Sequence, residues 1–116
     1  MNAVNAERKI PGDPLDFIRQ CIRKRSILWT YHINMRMMNR FISRQMILES
    51  IDNYEIIESY PEDKYLPSYL IYSRYQQTIF HVLFAVDVEN INVRVITAYR
   101  PDSKKWSEDF KRRQRQ

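Results

Sequence analysis

The hydrophobic period changes once along this chain, and that change decides its fold class. Up to Tyr54, apolar residues recur every three to four positions; from Glu55 onward they recur at every second one. The first spacing keeps one face of a helix apolar, and the second keeps one face of a strand apolar. Helices followed by strands in 116 residues indicate a single α+β domain, with N-terminal helices packed on an antiparallel sheet of about four strands.

The elements can be placed from local signals. Residues 1–12 are expected to form a flexible leader, 13–113 the domain and 114–116 the end of a basic tail. Asp13 before Pro14 predicts a capped first helix, "PLDFIRQCIRKR", with Leu15, Ile18, Cys21 and Ile22 inward. "SILWTY" predicts a small strand or extended entry, and a second helix covers about 32–41. There Ile33, Met37 and Phe41 make an inward stripe, and His32, Arg36 and Arg40 make a second stripe about 100° away. Phe41 and Ile42 should form the corner with a third helix, "RQMILESIDNY", capped by Ser43.

Four strands follow: "EIIESY", "SYLIYSRY", "IFHVLFAVDV" and "VRVITAYR". The third is the most apolar and so is expected to be central, with Phe80, Val82, Phe84 and Val86 on one face and His81, Leu83 and Ala85 on the other. Strict alternation in the last strand groups Val93, Val95, Thr97 and Tyr99 against Arg94, Ile96, Ala98 and Arg100. Trp106 and Phe110, four apart, are suited to pin a short terminal helix.

Composition narrows the chemistry. One cysteine, Cys21, makes no internal disulfide, and two histidines 49 positions apart offer no metal-ligand spacing. No metal or other cofactor is expected. The chain has neither a signal-like leader nor a run long enough to span a membrane, which points to a cytoplasmic protein with no membrane partner. The net charge of +5 divides into +6 over residues 1–45, −5 over 46–103 and +4 over 104–116. Basic ends around an acidic middle suit a polyanion, although "KRRQRQ" alone reads more simply as a solvated, frayed tail.

Five segments, "HINMRMMNRFIS", "IIESYPEDKYLPSYL", "FHVLFAVD", "VITAYRPD" and "KWSEDFKRR", together resemble a bacterial domain-of-unknown-function family with the pattern H-x-x-x-R-M-x-x-R-G-I-S, a "YP-D" loop, an H-V strand and I-T-x-Y-x-P-D. The likeness covers roughly residues 30–113. That family is in turn distantly similar to RelE, ParE and BrnT toxins. The resemblance implies a RelE-like fold and a toxin-like RNA-binding protein, a metal-independent endoribonuclease paired with an antitoxin. Where the pattern has glycine after the second arginine, this chain has Phe41. A phenylalanine would be strained at a left-handed position, so the turn is expected to differ and to re-aim Arg40.

The residue types suit such chemistry. RNA cleavage without a metal needs a base for the 2′-hydroxyl, an acid for the leaving 5′-oxygen and cations for the charged transition state. Arg36, Arg40 and Arg100 can contact phosphate, His32 and His81 are the acid/base candidates because histidine is the side-chain type suited to proton transfer near neutral pH, Thr97 can hold a phosphate oxygen, and Tyr99 can donate a hydrogen bond or stack on a base. Plainer roles stand beside these. His81 fits a buried, hydrogen-bonded structural histidine, and Arg36 and Arg40 fit ion pairs with Glu55, Glu58 or Asp63. The rival to an RNA enzyme is a non-catalytic module that docks a partner protein on its helix face or sheet edge. The oligomeric state is not set by the sequence.

Overall fold

The computed structural model describes residues 9–114; the leader of the sequence reading lies mostly outside them. Helix α1 (Pro14–Arg23) starts as expected, the Asp13 carboxylate accepting from the Asp16 amide at 3.1 Å. The "SILWTY" segment contains a strand, β1 (Ile27–Trp29), followed by α2 (Tyr31–Asn39), α3 (Arg44–Glu49) and a 3-10 turn (Ile51–Asn53). Strands β2 (Glu55–Tyr60), β3 (Ser68–Tyr75), β4 (Thr78–Asp87) and β5 (Asn92–Tyr99) complete the sheet.

The sheet has five strands in the order β1-β5-β4-β3-β2. It is mixed, because β1 joins the edge parallel to β5 while the other four strands form the expected antiparallel meander. An all-antiparallel four-stranded sheet is therefore corrected by one short strand, too brief at three residues to carry a period of its own. The helices cover one face. Ile18, Cys21, Ile22, Ile33, Met37 and Ile47 meet Phe80, Val82, Phe84 and Val86 in the core, the face expected of β4.

Two strands carry an extra residue. In β5 the pairing runs Phe84 with Val95 and then Leu83 with Thr97, so Ile96 is inserted. In β2 it runs Ile56 with Ile71 and then Glu58 with Leu70, so Ile57 is inserted. Each bulge flips all later side chains to the opposite face. Ala98 thus takes the core position, fully buried, and Thr97 and Tyr99 leave it. The strict alternation expected for β5 fails here.

The end of α2 also departs from expectation. The Phe41 amide donates to the Met38 carbonyl and the Ile42 amide to the Met37 carbonyl, a Schellman closure with Phe41 at φ 58°. The turn is therefore the left-handed one for which glycine is suited, adopted by phenylalanine. Ile42, not Phe41, continues the inward stripe. Burying Ile42 gains about 2 kcal/mol, which exceeds the roughly 1–2 kcal/mol cost of a left-handed phenylalanine. Phe41 and Met38 stay exposed, so the inward stripe is Ile33 and Met37 within the helix, continued by Ile42 beyond it. Replacing Phe41 by glycine is expected to raise the unfolding free energy by about 1 kcal/mol. Urea denaturation of Phe41→Gly against Phe41→Ala checks this; equal stabilities would contradict it.

Candidate functional site

The helix-free face of the sheet carries a cleft of about 330 Å³. Its floor follows from the register: Glu58, Leu70, Leu83 and Thr97 stand directly opposite one another across β2, β3, β4 and β5. Two leucines thus separate a carboxylate on one wall from a hydroxyl on the other. Tyr60 joins the first wall, Tyr99 the second, and Asp63 and Arg113 enter from the loop and the C-terminal segment. Both walls exist because of the bulges, which turn Glu58 and Thr97 away from the helices.

Arg113 holds the first wall. Its Nε and Nη2 donate to the two Glu58 oxygens at 2.7 and 3.1 Å, and the Tyr60 hydroxyl donates to the same carboxylate. Burial alone would raise the Glu58 pKa, but the Arg113 and Tyr60 bonds outweigh it and hold the carboxyl below its usual range. Lys111 pairs with Glu55 at 3.0 Å. The tail expected to be frayed is thus tied to β2 by two ion pairs. It is also not helical: Trp106 bridges to Arg113 instead of pairing with Phe110 along a helix.

Arg40 meets the second wall from the outer edge of β5, without itself lining the cleft. Beyond Val95, β5 has no strand on its outer side among the described residues. There Arg40 Nη1 donates to the Ala98 carbonyl at 2.8 Å and reaches Thr97 Oγ1 at 3.4 Å. Arg100 Nη2 donates back to the Phe41 carbonyl at 3.3 Å. Neither Arg36 nor Arg40 forms an ion pair with a described carboxylate; Glu58 and Glu55 are matched to Arg113 and Lys111 instead.

His81 lies under this wall, fully buried. Its Nε2 is 2.7 Å from the Phe110 carbonyl, so that nitrogen carries the proton; Nδ1 then accepts from the Tyr99 hydroxyl at 3.2 Å. Trp106 packs edge-on against the imidazole at 4.5 Å. Burial lowers the His81 pKa and raises that of Tyr99. His81 therefore addresses the cleft through Tyr99, and its buried ring is neutral.

Of the sequence candidates, the structure joins Arg40, Thr97, Tyr99 and His81, with Arg100 attached through Phe41. His32 and Arg36 lie on the exposed surface of α2, and neither they nor Arg40 and Arg100 line the cleft itself. Glu58, Tyr60 and Arg113 were not singled out as site residues. Their signal was weak, since a bulge leaves no mark in composition and Arg113 sits in a run of basic residues.

The family model for a domain of unknown function, DUF4258, matches residues 29–100, more than half of the chain. The chain belongs to the DUF4258 family. The match runs from the last residue of β1 to Arg100 and so contains every cleft residue except Arg113. No curated protein and no solved structure is significantly similar to the chain. Among the described residues no helix is long and apolar enough to cross a membrane, and no three His, Cys, Asp or Glu side chains gather as a metal site.

The native His81 resists protonation, whereas in the unfolded chain it titrates near about 6.5. Its contribution to stability is therefore complete above that value and is lost as pH falls through it, with a limiting slope of about 1.4 kcal/mol per pH unit. Unfolding free energies measured from pH 8 to 5 (roughly the histidine range) should show this decline, flattened in His81→Gln. An unchanged slope in the variant would remove His81 as its source.

Proposed function

We propose that this DUF4258 domain is a toxin-like RNA-binding protein that cleaves single-stranded RNA with its own side chains, and that the cleft is the site. One observation carries the reading. Arg40, free of any described carboxylate, is fixed by hydrogen bonds to Ala98 and Thr97 at the rim of a concave surface whose far wall holds Glu58 and Arg113. The four aligned residues span three strand spacings, about 14 Å at the backbone. That width suits a nucleotide lying across Leu70 and Leu83, its base on the apolar floor and its phosphate against a cationic wall.

The chemistry then divides among named groups. Glu58, kept ionised by Arg113, takes the proton of the 2′-hydroxyl, and the 2′-oxygen attacks phosphorus. The Tyr99 hydroxyl turns its proton from His81 Nδ1 to the departing 5′-oxygen, giving a 2′,3′-cyclic phosphate and a free 5′-hydroxyl, and the proton taken up by Glu58 returns to Tyr99 through solvent. Arg40 and Arg113 stabilise the extra charge of the pentacoordinate phosphorus. His81 positions the Tyr99 hydroxyl from behind, a positioning rather than a catalytic role.

Full-length protein mixed with single-stranded RNA in excess EDTA tests this. Cleavage with cyclic phosphate ends is expected, reduced about 100-fold in Arg40→Ala and strongly in Tyr99→Phe and Glu58→Gln. No cleavage by the wild type, or full activity in Arg40→Ala, would overturn the assignment.

A further inference from the structure

Helix α2 has two apolar faces, and only one is buried. Ile33 and Met37 enter the core, while Tyr31, Met35 and Met38, at helical spacing on the opposite side, are 76%, 51% and 68% exposed. Phe41, just past the helix end, adds a fourth apolar side chain at 77% exposure. At about 100° per residue, His32 and Arg36 form one flank of this stripe, and Asn34, which accepts from Arg44 Nε at 3.1 Å, lies on the other. The surrounding segment is acid-free: residues 17–48 contain seven Lys and Arg and neither Asp nor Glu.

We infer that this face of α2 docks an acidic, amphipathic segment of another protein. Its apolar edge would lie on Tyr31, Met35, Met38 and Phe41, and its carboxylates would face His32 and Arg36. Charge selects the occupant. A second copy of the chain would set like charges against one another, which disfavours self-association. Nucleic acid would match the cations but leave the apolar stripe unused. A membrane surface favours cations on both flanks of an apolar stripe; Arg36 on one flank and Arg44, bonded to Asn34 on the other, meet that condition, so the vesicle arm of the test separates this occupant from an acidic segment. A rod with one apolar and one acidic edge matches both features, and the two methionines allow the contact to adapt.

Phe41 gives independent support. Glycine would close the same turn and bury Ile42 without the strain, and the phenyl ring itself gains nothing from the core, so the side chain at this position is free to serve a contact outside the domain. The inference does not rest on RNA chemistry in the cleft, which lies on the other side of the sheet.

The test is selection from a display library of amphipathic helical segments with random charge, against the full-length protein. Enrichment of acidic segments is expected, with affinity falling about tenfold or more in Met38→Glu, in Arg36→Glu and in Phe41→Gly. Met38→Glu should leave any RNA cleavage unchanged, which separates this surface from the cleft. Neutral or basic segments among the winners, or binding that survives Met38→Glu, would overturn the proposal. So would a dimer in sedimentation that Met38→Glu dissolves, or adsorption to phosphatidylglycerol vesicles or RNA that depends on Met35 and Met38, since each assigns the face to a different occupant.

Discussion

An inserted residue in each of two strands decides what the open side of this sheet presents. With strict alternation, Glu58 would point at the helices, where an unpaired carboxylate costs several kcal/mol, and Thr97 would occupy the place of the buried Ala98 opposite Val82. The insertions at Ile57 and Ile96 resolve both conflicts together. They send the polar ends of β2 and β5 to the same side, facing each other over Leu70 and Leu83. The bonds from Tyr99 to His81, from Arg40 to Thr97 and from Arg113 to Glu58 all presuppose that switch.

The C-terminal segment completes the arrangement. Trp106 and the Phe110 carbonyl close over His81, and Lys111 and Arg113 bind the carboxylates of β2. The segment thus covers an imidazole that would otherwise meet solvent and delivers a guanidinium to the cleft. Most of the acidic charge expected to attract Arg36 and Arg40 is consumed by this strap. The two arginines are left without a described carboxylate, Arg40 bonded to Ala98 at the edge of β5 and Arg36 on the exposed side of α2.

Much of this architecture was legible in the residues because the signals were periodic. The face pattern of β4, the caps at Asp13 and Ser43, and the order of helices and strands follow from spacing and from side chains that satisfy free amides. Three features were hidden for three reasons. A bulge changes parity without changing composition, so Thr97 and Tyr99 were grouped with the core positions. A left-handed turn is advertised by glycine, and this chain has one glycine, so Phe41 was assigned to the inward stripe. Arg25, Gln76, Ile91 and Phe110 also take positive φ among the described residues. Finally, long-range ion pairs such as Arg113 with Glu58, 55 positions apart, have no local trace.

The central claim is that the helix-free face holds an RNA strand between Arg40 and Arg113. The most direct measurement is a nuclear magnetic resonance titration of the full-length protein with a short single-stranded RNA methylated at its 2′-oxygens, which binds but cannot be cut. The account predicts the largest amide and methyl shifts at Leu70, Leu83, Thr97 and Tyr99. Shifts confined to the basic surfaces of α1 and α2, with those four residues unmoved, would contradict it.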